Sequence, residues 1–187
     1  MRFEKRLSRL LLIGAVTGIF ALIYVQSNAL KTPINVSLHE LADPLFIPSE
    51  PTKTFGCVSY DGYPDFSCTP GAIFTHATIK EICTSGYARS KRSVTSGMKR
   101  DIKAAYGIGG ALSAEYHIDH LISLQLGGSN DPANLWPLAV EGDRGKKQKD
   151  IVENFLHDKL CAGDITLKET QSLISHRWAD VYTLLPR

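Results

Sequence analysis

Four cysteines, Cys57, Cys68, Cys83 and Cys161, constrain this chain more than any other feature, because their chemistry depends on the compartment in which it folds. The first residues bear on that compartment. Arg2, Lys5, Arg6 and Arg9 precede an uncharged apolar run, Leu10 to Val25, and Ser27 and Ala29 then offer the small residues that a signal peptidase reads. The run has 16 residues, fewer than the ~20 that cross a bilayer comfortably. A cleaved signal peptide over residues 1–29 is therefore the first expectation, and an uncleaved membrane anchor, with Tyr24 and Gln26 at the interface, is the alternative. In both cases the basic flank stays inside and the remainder is exported, to be periplasmic, secreted or held outside on the membrane. In that setting four cysteines without a CxxC pair predict two disulfides and disfavour a zinc ribbon or a thioredoxin motif. Three pairings are open. The preferred one joins Cys57 to Cys68 as a local staple and Cys83 to Cys161 as a long-range tie; buried thiols are the alternative for a chain that is not exported.

Export also changes the charge arithmetic. The chain has 21 basic and 19 acidic residues, of which residues 1–29 hold four and one, leaving 17 against 18. Global charge thus gives no argument for a polyanionic partner, and only a local patch can.

Residues 30–54, with Pro33, Pro44, Pro48 and Pro51, read as a linker, and residues 55–187 as one folded domain without internal repeats. Turn-forming residues dominate 57–72. Thr75 is placed as the cap of a short helix carrying Ile79, Ile82 and Cys83, and a second helix covers Met98 to Tyr106. Tyr116 to Leu124 and Leu135 to Val140 alternate like two strands of a hairpin, joined by a polar loop. A helix over 146–160 has Ile151, Val152, Phe155, Leu156 and Leu160 as its apolar stripe. Thr166 and Glu169 form a capping box that opens a last helix carrying Leu167, Ile174, Trp178 and Val181.

The chemically informative stretch is His117-Ile-Asp119-His120-Leu-Ile-Ser-Leu-Gln-Leu-Gly127-Gly128-Ser-Asn-Asp-Pro-Ala-Asn134-Leu-Trp136-Pro-Leu138. It places an acid–imidazole pair at the end of a strand, with a glycine turn behind it. A carboxylate suits a hard divalent ion, and an imidazole can take a proton from water. Alternation along a strand predicts that His117 and Asp119 share one face while His120 points to the other. His117 is a possible second ligand, or an ordinary solvent-facing residue; Trp136 is read as core rather than a stacking platform.

The run DHLISLQLGGSNDPANLWPL resembles the Asp-His, Gly-Gly, Asn-Leu pattern of HNH (ββα-metal) endonucleases over about twenty residues. More weakly, the segments around Cys68, Ile82–Tyr87 and Lys149–Cys161 resemble an exported bacterial HNH-like subgroup. The resemblance implies an α+β fold with a ββα-metal core, flanking helices and two disulfides. It implies Asp119 as metal ligand, His120 as general base, and Asn134 as the residue that ties the loop and orients the base. The cofactor implied is one divalent ion, Mg²⁺ first, with Mn²⁺, Zn²⁺ or Ni²⁺ as alternatives. The chain departs from the pattern after the hairpin: no His or Asn stands in residues 139–149, so the helix donors become Asp150 and, one turn later, Asn154.

Two basic clusters flank the motif. Arg89, Lys91, Arg92, Lys99, Arg100 and Lys103 contain only Asp101 as an opposing charge, and Arg144, Lys146, Lys147 and Lys149 precede or open the following helix. Either could grip phosphates or be an ordinary solvated face. The expectation is a metal-dependent endonuclease of low sequence specificity that acts on DNA, or alternatively RNA, outside the cytoplasm. Its partner is nucleic acid, and the membrane only if the leader is uncleaved. The competing expectations are a non-catalytic, degenerate HNH-fold module that binds nucleic acid or protein, and a disulfide-braced envelope protein.

Overall fold

The computed structural model describes residues 37–186; the leader and the first part of the proposed linker lie outside them. Among the described residues no helix is long and apolar enough to cross a membrane. The architecture is α+β, a small antiparallel sheet among short helices. Strands β1 (Tyr116–His120) and β2 (Leu135–Ala139) pair antiparallel, with Tyr116 opposite Ala139, Asp119 opposite Trp136 and His120 opposite Leu135.

The stretch read as linker is structured from Ser37 onward. Helix α1 (Leu38–Leu41) has a Ser37/Glu40 capping box, His39 Nδ1 lies 2.8 Å from Glu169 Oε1, and the Asp43 amide donates to Ser172 Oγ. Leu38, Leu41, Ala42 and Phe46 pack on the main core, so the folded unit begins nearer Ser37 than Phe55. The short helix expected behind Thr75 is α2 (Ile79–Ile82), capped instead by Thr78 with Glu81; only Thr78 has a glutamate three residues on, which the capping box requires. Helices α3 (Tyr87–Lys91) and α4 (Ser96–Ala105) follow.

Helix α5 (Lys146–Ala162) packs behind the hairpin through Val152, Leu156 and Leu160. Ile151, expected in that stripe, is 41% exposed, because at 3.6 residues per turn it falls on the side of the helix away from Lys149, Val152, Leu156 and Leu160. The last helix divides at Arg177 into α6 (Leu167–His176) and α7 (Trp178–Leu184). Its capping box is formed as expected, and Trp178 is fully buried with Nε1 donating to the Gly62 carbonyl. Ile122, Leu126, Val152, Leu156, Leu173, Ile174, Trp178 and Val181 make the main core. Ile102 on α4 covers Ile118 and Leu135, and Trp136, 1% exposed, sits with Leu121 and Leu138.

Both preferred disulfides form, Cys57–Cys68 and Cys83–Cys161, with Cα separations of 6.1 and 5.7 Å. They suit an oxidising compartment. The second joins the end of α2 to the end of α5 across 78 residues of sequence. Restraining so long a loop in the unfolded chain is worth about 4 kcal/mol. A Cys83→Ser/Cys161→Ser variant is expected to lose roughly that much, read as a lower urea midpoint with an intact native fold.

Candidate active site

The hairpin loop decides where the chemistry sits. It leaves β1 at Leu121, makes a short 3-10 turn at Leu124–Leu126, reverses at Gly127 (φ 83) and re-enters β2 through a second 3-10 turn at Pro132–Asn134. Asn134 is fully buried at its centre. Its Oδ1 accepts from the Ile122 amide at 2.8 Å, and its Nδ2 donates to the carbonyls of Ile122 and Ser129 at 2.9 and 2.8 Å. One side chain thus closes the loop on itself and fixes the strand end that carries Asp119 and His120.

Strand alternation holds through that end. Ile118 and His120 are buried on one face, while His117 and Asp119 lie on the other. Asp119 meets α5, where the structure departs from the expected ligand set. The group facing Asp119 is Lys149, fully buried, whose Nζ donates to Asp119 Oδ2 at 2.8 Å, to the His120 carbonyl at 2.7 Å and to Glu153 Oε1 at 2.5 Å. Glu153 also accepts from Ser123 Oγ. Burial pushes the Asp119 carboxyl up, but the charge and hydrogen bond of Lys149 outweigh it and hold Asp119 below the ordinary carboxylate range. Burial prevails at Glu153, which is raised. Lys149 itself is raised by the two carboxylates against the cost of its burial.

The other expected ligands are engaged elsewhere. Asp150, its side chain 43% exposed, pairs with Lys146 one turn back on α5, and Asn154 Oδ1 accepts from Gln125 Nε2. No three carboxylates, imidazoles or thiols that include Asp119 converge among the described residues. The one such group, Cys83, His157 and Cys161, has its two sulfurs joined to each other. The residues present therefore do not assemble the divalent-ion site that the HNH resemblance implies.

His120 is 4% exposed. Its Nε2 lies 3.2 Å from Asn130 Oδ1. The Asn130 amide is oriented independently, since Oδ1 accepts from the Ser93 amide and Nδ2 donates to the Lys91 carbonyl. Turned over, it would set donor against donor and acceptor against acceptor. This network assigns the hydrogen of His120 to Nε2 and the lone pair to Nδ1. Nδ1 has no partner among the described residues, nor is it among the buried side-chain atoms left without one, which are Ser59 Oγ, Tyr87 Oη and Trp136 Nε1. Asp119 Oδ1 likewise has no partner among the described residues, on a side chain that is 13% exposed. Burial lowers the His120 pKa to about 4, against weaker support for the cation from Asn130 and Asp119, so the ring is neutral at physiological pH.

Cations from both clusters act electrostatically on the imidazoles of this strand. Partial burial lowers the pKa of His117, and so do Lys146, Lys99 and Arg92, against the pull of Asp119. Arg92 and Lys149 also disfavour charge on His120. A groove of about 300 Å³ beside β1 is lined by Lys99, Arg100, Lys103 and His117; neither it nor the larger clefts of about 580 and 520 Å³ has Asp119, His120, Lys149 or Glu153 in its lining. Arg89 and Lys147 are exposed, and Lys91 lies over the rings of Phe74 and Tyr87. Arg144 is tied to Asp61.

Glu153, Asn130 and Ser123 are members that the sequence did not assign to the site, and Lys149, read there in a cluster that could grip phosphates, is instead buried against Asp119. One signal was available: Lys149 stands three residues before Val152 and seven before Leu156, a charge on the apolar stripe of α5. No protein-family model, curated protein or solved structure matches the chain.

Proposed function

We propose that this chain is a phosphodiester hydrolase of the HNH (ββα) class, acting on nucleic acid outside the cytoplasm, on DNA before RNA. The observation that supports this most is the pairing at the end of β1 of a neutral imidazole, its Nδ1 without a partner among the described residues, with the ionised carboxylate of Asp119. Nδ1 of His120 takes a proton from the attacking water as its oxygen bonds to phosphorus. The P–O bond to the leaving sugar oxygen breaks, and that oxygen takes a proton from solvent. Asp119 stabilises the imidazolium formed in between, which then releases its proton to solvent and restores the neutral base. Arg92, Lys99 and Lys146 bear on the same strand, where they offset the charge that builds on the phosphoryl oxygens. No step is drawn through a divalent ion, because its ligand set is not assembled.

The cationic rim meets phosphates rather than base edges, so little sequence preference is expected. An Arg92→Ala/Lys99→Ala/Lys146→Ala variant should lower the slope of log affinity against log salt for duplex DNA by about 0.9 for each phosphate that is no longer neutralised. Filter binding from low to moderate salt measures it, and an unchanged slope would remove these three residues from the interface.

A second reading, a degenerate HNH module that binds without cutting, is favoured by one observation: Lys149 neutralises the carboxylate that would hold the metal. Incubation of the wild-type protein with supercoiled plasmid at low salt separates the two. Nicking supports the hydrolase, and stable binding without a nick at any pH supports the module.

A further inference from the structure

Lys149 has three ammonium hydrogens and three acceptors, Asp119 Oδ2, the His120 carbonyl and Glu153 Oε1, at 2.8, 2.7 and 2.5 Å. None is left for a substrate, and the side chain has no exposure. Two carboxylates and a carbonyl around one point make the kind of oxygen cage that hard cations occupy, and here the cage is filled by a group covalently part of the chain. The stem lies with Val152 and Leu156 on the buried face of α5, so the ammonium cannot swing out to solvent without unpacking the helix. Once desolvated, a charge with every hydrogen satisfied is costly to displace, because its removal leaves the partner charges buried and unpaired.

We infer that Lys149 is a built-in cation occupying the place against Asp119 where a divalent ion would sit, and that this site takes no metal. Lys149 is thus a positioning residue: it holds the Asp119 carboxylate and the His120 backbone but touches no substrate. The inference stands on the contacts of Lys149 and holds whether or not the chain cleaves nucleic acid. Combined with the proposed hydrolase, it makes plasmid nicking insensitive to chelator, because an ammonium orients a carboxylate without coordinating or acidifying a water.

Calorimetric titration of the wild-type chain with Mn²⁺ alone tests it without any activity readout. The expected result is no saturable binding at millimolar Mn²⁺, with a trace matching that of Asp119→Asn. Saturable binding in the wild type that disappears in Asp119→Asn would overturn the inference. Lys149→Met opens the cage while keeping the stem. It should melt well below the wild type and be raised by several degrees in Mn²⁺, whereas the wild type is unmoved. A Lys149→Met protein that melts like the wild type and ignores Mn²⁺ would also overturn it. If that variant fails to fold even in Mn²⁺, the comparison of wild type with Asp119→Asn decides alone.

Discussion

Replacing His120 with alanine should cut phosphodiester cleavage by about 10²–10⁴-fold, the usual contribution of a positioned general base, while duplex-DNA affinity stays within about twofold because the phosphate grip lies elsewhere. The pH profile distinguishes a base from a packing residue. An imidazole near its ordinary pKa would lose activity below pH 6.5, but His120 is held to about 4 by burial. Cleavage should therefore persist through pH 5 and fall only as the pH approaches 4. Stability carries the same signature. Between pH 6.5 and about 4 the unfolded imidazole is protonated while the folded one is not, so the unfolded state binds more protons and stability falls as the pH is lowered through that window. His120→Ala removes this contribution, so the unfolding free energies from urea titrations at pH 7 and 4.5 should differ less for the variant, by about 2 kcal/mol. Equal pH sensitivity of variant and wild type would show that the imidazole is not desolvated, and cleavage that survives the substitution would remove His120 from the chemistry.

Much of this arrangement is readable in the sequence because it is local. The alternation of Tyr116–His120, the turn residues Gly127 and Gly128, the Thr166/Glu169 capping box and the stripe of Val152, Leu156 and Leu160 each act within one turn or one strand. Those elements sit where the pattern puts them, except that the first strand, expected to run to Leu124, ends at His120, where the chain turns away into the 3-10 turn at Leu124–Leu126. The orientation of Asp119 follows from strand alternation as well. What meets Asp119 does not, since it depends on which face of α5 is pressed against the hairpin. Asp150 and Asn154 carry suitable ligand atoms but fall on the exposed flanks of α5, where Lys146 and Gln125 take them. Lys149 and Glu153, one turn apart on the buried face, reach the strand instead. A lysine reads as surface in any composition-based argument, because two of the three partners that make its burial tolerable, Asp119 and the His120 carbonyl, lie about 30 residues away in sequence. Asn130 is hidden for a similar reason. Its value lies in joining the end of α3 at Lys91, and Ser93 just beyond it, to His120, a link between segments that no local pattern announces.

Gly128→Ala should be the most damaging single substitution in the site, costing more than about 4 kcal/mol or preventing folding, in the range reserved for changes with no means of relaxation. A Cβ at this position would lie 1.7 Å from the Ile122 carbonyl oxygen, 2.5 Å from its carbon and 3.0 Å from Asn134 Nδ2. The obstruction is backbone, which cannot rotate aside as a side chain would. The same Ile122 carbonyl accepts from Asn134 Nδ2, so any shift that relieves the clash breaks the brace that closes the loop. It also disturbs the bridge between Gly128 and Ile73 and the bond from the Ser129 amide to the Ala72 carbonyl. Asn134→Ala tests the brace without the clash. It leaves the Ile122 amide and the Ile122 and Ser129 carbonyls without this partner, at about 1–3 kcal/mol for each buried group left unsatisfied. Thermal melts of Gly128→Ala, Asn134→Ala and the double variant should be strongly non-additive, because both changes dismantle one loop. Additive losses would mean that the approach of Gly128 to Ile122 and the Asn134 brace act independently. His120 and Asp119 would then be held in place by β1 and α5 rather than by the loop between the strands.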